Sequence, residues 1–119
     1  MSAKLLKENA MEHGSNSYGQ YWKFANGLLI CIGKIVKNFS ITNPTTNGFY
    51  DDGYFIIFPH EFVDMNYNVN AILSNDESLI FIYSVVNATK NKALVNVFSH
   101  ALIENRQREV SFIAIGCWK

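Results

Sequence analysis

The sequence predicts an all-β domain, an antiparallel sandwich or barrel of about six to seven strands. Three observations carry this. Short runs of β-branched, aromatic and aliphatic residues recur from Tyr21 onward, separated by short polar stretches with no helical segment between them. Ala25-Asn26-Gly27 stands between two such runs, and Asn-Gly in that setting signals a hairpin because both residues tolerate positive φ. Residues 110–119 are strand-like to the last turn, and a terminus of that composition must dock into a sheet to avoid an adhesive edge.

Taken in order, residues 1–18 form an N-terminal segment and linker, and residues 19–119 the sandwich domain. Ser2 is a candidate N-cap ahead of good helix formers, with Lys4 and Glu8 four apart. About three turns is marginal for an isolated helix in water. Two readings stay open: the end of a stem whose chains coil together with Leu6 and Ala10 inward, or a frayed, disordered tail. Residues 13–17, His-Gly-Ser-Asn-Ser, read as a linker.

Strands are predicted at 21–24, 28–39, 54–58, 67–73, 79–88, 93–103 and 110–118. Residues 41–53, rich in Asn, Thr and Gly and containing Pro44, read as a surface loop. The remaining separators, 59–66, 74–78, 89–92 and 104–109, are polar.

Several strands are apolar on both faces. In 79–86, Leu79, Phe81, Tyr83 and Val85 alternate with Ile80, Ile82 and Val86. One sandwich supplies one interior, and no helix is available to cover the outside, so the second face is expected against a sister subunit. Composition agrees: 49% of residues are hydrophobic and only 17% charged, against a usual value of about 25%. An obligate homo-oligomer follows.

Charges balance at ten basic and ten acidic residues, so there is no electrostatic footprint for nucleic acid or an anionic membrane. Residues 1–11 lack the features of a secretory signal, and no run reaches the roughly 18 apolar residues of a membrane span, so synthesis in a cytoplasm without membrane insertion is expected. Cys31 and Cys117 lie in apolar runs and read as buried free thiols.

His13, His60 and His100 are isolated, which argues against a metal site, and no cofactor is expected. No phosphate loop or nucleophile elbow occurs. The carboxylates, among them Asp51, Asp52, Glu61 and Asp64, fall in predicted loops, where a pair could serve a polysaccharide hydrolase if folding set the right separation. The reading is nevertheless of a binding protein and not an enzyme. Asn-x-Ser/Thr at Asn38 and Asn87 reads as coincidence in an Asn-rich chain.

Three blocks together resemble one family, the C-terminal domain of bacteriophage and prophage tail-fibre proteins. The first is Gly19 to Gly33, with Trp22, Lys23 and Phe24, the Asn26-Gly27 turn, then an apolar strand closing on Gly33. The second is Phe58-Pro59-His60-Glu61-Phe62 leading to Tyr67-Asn68-Val69. The third is Ile113-Ala114-Ile115-Gly116-Cys117-Trp118-Lys119.

The resemblance covers about residues 19–119 and implies a trimeric β-sandwich at a phage tail tip, likened to the H-type lectin fold. It implies location in the virion tail and attachment to a host cell-surface receptor, a glycan or a protein, with other tail proteins meeting the N-terminal segment. It implies no catalytic residues. The alternative is a structural trimerisation cap without receptor binding. About twenty residues precede the matching region, too few for the long shaft of a fibre.

The matching residues are scaffold, so recognition is expected in loops. If strands alternate direction from an N-terminal stem, the turns at 25–27, 59–66 and 89–92 gather at the far end. His60, Glu61, Asp64, Asn66, Lys90 and Asn91 are the first candidates there. Phe49, Tyr50 and Asp52, in a loop whose rings could stack on sugars, are a lateral second choice.

Overall fold

The computed structural model describes residues 10–51, 53–73 and 80–119, and all its regular elements are strands. They are β1 (Glu12–Asn16), β2 (Gly19–Lys23), β3 (Leu28–Ile41), β4 (Asn43–Thr45), β5 (Gly48–Tyr50), β6 (Tyr54–Ile57), β7 (Asn68–Leu73), β8 (Ile80–Thr89), β9 (Lys92–Ser99) and β10 (Ile103–Cys117). The first sheet runs β1-β2-β3-β10-β7 and the second β4-β5-β9-β6, with β8 also paired to β9; every pairing is antiparallel. β5 pairs with Phe98 and Ser99, β6 with Lys92 to Val95, so the two follow one another along a single edge of β9.

The sheets face one another as a sandwich. Leu29, Cys31, Phe39, Ile41, Val110, Phe112 and Ala114 of the first bury against Tyr54, Ile56, Ala93, Val95 and Val97 of the second. Alternation along β10 is strict: Val110, Phe112 and Ala114 point in, while Ile113 and the exposed Ile115 point out.

β3 and β10 pair from Leu28 opposite Cys117 to Ile41 opposite Ile103 and form the backbone of the domain. Between Ile103 and Arg106 the register shifts, with Asn105 at a φ of 52°, an αL value that Asn tolerates better than most residues.

Ten strands stand among the described residues where about six to seven are expected. Residues 13–17, expected as a linker, belong mostly to β1, a polar edge strand beside β2. The expected loop at 41–53 holds the β4–β5 hairpin, with Pro44 on an edge strand, where its missing N–H is tolerated. The expected loop at 104–109 is strand, because backbone pairing to β3 holds it where its polar side chains face solvent. His100, expected within a strand, lies in the turn after β9. The expected helix falls largely on residues outside the described part.

One end of the sandwich is closed by an aromatic plug. Phe58, Phe62 and Tyr67 meet with centroids 4.8–5.2 Å apart, and Phe112 approaches Phe58 at 6.0 Å. Gly116 is required here: a Cβ would stand 2.8 Å from Phe62 and Tyr67. The Tyr67 hydroxyl points at the carbonyl oxygens of Thr89 and Lys92, at 2.6 and 2.8 Å, tying the plug to the β8–β9 turn.

Candidate functional site

The turns at 25–27, 59–66 and 89–92 do gather at one end. Phe58 N–H donates to Asn91 O, Phe62 N–H to Lys90 O, Val63 N–H to Cys117 O and Trp118 N–H to Gly27 O, all at 2.8–2.9 Å. Gly27 has a φ of 99°, which the turn requires of it. This is not, however, the end opposite the N-terminal segment. Met11 N–H donates to Lys23 O at 2.7 Å and Ala10 packs against the cluster of Trp22 and Ile30, so the described chain begins next to the β2–β3 hairpin. The added strand β1 reverses the chain once more than the sequence pattern shows. The opposite end is the one carrying Asn47 and His100, joined by a hydrogen bond from His100 Nδ1–H to the Asn47 carbonyl at 3.3 Å.

His60, Glu61, Asp64, Asn66, Lys90 and Asn91 therefore share one end, and several are committed to shaping their own loops. His60 donates from Nδ1 to Glu61 O at 2.7 Å and lies 4.8 Å from the Tyr21 ring. Asp64 Oδ1 accepts from Asn66 N–H at 2.8 Å. Asn91 Oδ1 accepts from Thr89 Oγ1–H at 2.7 Å. Such contacts are the Asx and Ser/Thr turns of an ordered loop. Glu61, Asp64, Asn66, Lys90 and Asn91 are exposed.

Phe49 and Tyr50 separate by strand parity. Phe49 is half-buried and packs on the core opposite Ser99, whereas Tyr50 faces outward opposite Phe98. Asp52 lies outside the described residues. No group of three or more metal-ligating side chains forms among the described residues. Cys31 is buried, with its thiol pushed up to about 12 by that burial, so it is held as an unreactive thiol, whereas Cys117, also expected to be buried, is exposed on the outward side of β10.

Two surfaces outside the loops also expose apolar side chains. On the outer face of the first sheet, Ile32, Ile72 and Ile113 line a shallow cavity of about 240 Å³ beside Asn70 and Ser111. Val36 and Ile72 on that face are 62% and 67% exposed. On the outer face of the second sheet stand Tyr50, Phe55, Phe81, Tyr83 and Val86, all exposed. The sequence signal for both was the two-sided apolar strand.

No protein-family model and no curated protein sequence matches the chain. Among solved structures, it is similar to a P. aeruginosa R1 pyocin fibre fragment comprising the C-terminal residues 323–701, with a TM-score of 0.52 and 12% identity. The likeness covers 98% of this chain and 32% of that one, and the two share a fold along nearly the whole of the domain described above.

Proposed function

We propose that the chain is the tip domain of a phage-tail-type fibre that attaches to a glycan or protein receptor on a bacterial surface, as a homotrimer and without catalytic activity. The observation that carries this reading is the fold match to a pyocin fibre's C-terminal fragment along 98% of the chain. The three sequence blocks of residues 19–119 support it independently. Phe58, Phe62, Tyr67, Gly116 and Trp118, which carry much of the resemblance, are the residues of the aromatic plug and the docked terminus.

The test is adsorption. Fluorescently labelled protein is added to a panel of bacterial strains and scored by flow cytometry, with unlabelled protein as competitor. Saturable, competed binding to some strains and not others is expected; uniform absence of binding overturns the reading.

A second reading, a trimerisation cap without receptor binding, is favoured by one observation: the outer face of the first sheet exposes Val36, Ile72 and Ile115. It predicts stable trimers that bind none of the strains.

A further inference from the structure

The two outer faces of the sandwich differ in chemistry. That of the first sheet is mainly aliphatic, with Val36, Ile32, Ile72, Ile113 and Ile115 beside Lys34, Asn70 and Ser111 and no exposed ring among them, and suits a flat protein contact. That of the second sheet is built of rings with hydrogen-bonding groups set between them. Tyr50, Phe98 and Phe81 form one row across β5, β9 and β8. One two-residue step along β9, about 6.8 Å, Asn96 stands opposite Ser84 and donates from Nδ2 to its Oγ at 2.8 Å. The next step brings Phe55, Leu94 and Val86.

We propose that this face is the seat of the glycan, a short stretch of bacterial surface polysaccharide laid along β9. The inference rests on the attachment reading and names its ligand class and location. A pyranose presents C–H groups on its faces and hydroxyls around its rim, so it needs rings to stack on and donors and acceptors beside them. The two ring-bearing rows supply the first and the Asn96–Ser84 step the second.

His100 extends the polar set. Its ring sits 5.9 Å from Phe81 and 5.1 Å from Phe98, and with Nδ1–H given to the Asn47 carbonyl its Nε2 is left as a further hydrogen-bonding atom. Tyr83 adds a hydroxyl at the register shift between Ile82 and Ser84, where a bulge re-aims a side chain, and it is 57% exposed. Charge points the same way. Among the described outward residues of β6, β8 and β9 the single charge is Lys92, whose Nζ lies 4.4 Å over the Phe55 ring, so neutral and acidic saccharides are both accepted.

The test is an NMR titration of the full chain with glucose, galactose, rhamnose and N-acetylglucosamine, run beside the adsorption assay. Saturable shifts are expected on the Phe81, Tyr83 and Phe98 rings and on His100 with at least one of the four. Phe81→Ala and, as a second variant at a surface bulge, Tyr83→Ala each weaken that binding roughly two- to tenfold, with the amide spectrum of each variant verifying its fold. Shifts collected on Asn66, Lys90 and Asn91, shifts on Ile72 and Ile113, or no shift with any sugar would each overturn the inference. So would concentration-dependent broadening of the same rings without sugar, which marks a subunit contact. If cells still adsorb the protein in those cases, the attachment reading stands without this site; if they do not, both fall.

Discussion

The indole Nε1–H of Trp118 donates to the Phe24 carbonyl at 2.8 Å, joining the last strand to the first hairpin across 94 positions of sequence. The backbone N–H of the same residue donates to Gly27 O, and Lys23 Nζ lies 5.0 Å from its ring, so the terminus is pinned on three sides. Trp118→Phe keeps part of the packing and loses the indole bond. A loss of about 1 to 2 kcal/mol is expected in urea unfolding, the range for one hydrogen bond with its acceptor left in a half-buried site. A change within error would show that the terminus is not held there.

Two tyrosines make opposite demands on their hydroxyls. Tyr67 serves two carbonyls of the β8–β9 turn, whereas Tyr54 is buried with a hydroxyl that has no partner among the described residues. Tyr67→Phe is expected to cost about 1 to 3 kcal/mol and Tyr54→Phe to be neutral or stabilising, because only the first substitution strands an acceptor. Denaturant midpoints of the two variants measured side by side test the contrast.

Stability should fall at alkaline pH. Burial raises the Cys31 thiol to about 12 from an ordinary value near 9.0 and also raises the Tyr54 and Tyr67 hydroxyls. Each folded-state pKa lies above its unfolded value, so the unfolded chain sheds its proton first. For Cys31 the contribution is whole below about pH 9, declines by about 1.4 kcal/mol per pH unit above it, and is gone near pH 12. Cys31→Ala should flatten the first part of that decline, read from unfolding midpoints at stepped pH.

Much of this fold is legible in the residues themselves, and the illegible parts are of one kind. The Asn26-Gly27 hairpin and the in-out alternation of Val110 to Ile115 are local patterns and stand as read. β1 and residues 104–109 are polar strands kept in place by backbone pairing, to β2 and to the long β3 respectively, which leaves no apolar signature. The site was harder still. Phe49 and Tyr50 are neighbours of similar character, and only the register against Ser99 and Phe98 decides that one is core and the other surface. The outer ring face needs β5, β8 and β9 side by side before Tyr50, Phe81 and Phe98 become one row.

Self-association through the first sheet is tested by charge. Ile72 is 67% exposed in the edge strand β7, opposite Ser111 of β10 and beside Ile113, on the aliphatic face. A lysine there has room to reach solvent in an isolated chain, so folding stability should change by no more than about 0.5 kcal/mol. In a packed subunit contact the same ammonium must be desolvated without a partner, which costs several kcal/mol per copy. Ile72→Lys is therefore expected to convert a trimer into a folded monomer by sedimentation velocity, with the circular dichroism spectrum unchanged. A parent chain that already sediments as a monomer at micromolar concentration, or a variant that stays trimeric, would place the contact elsewhere.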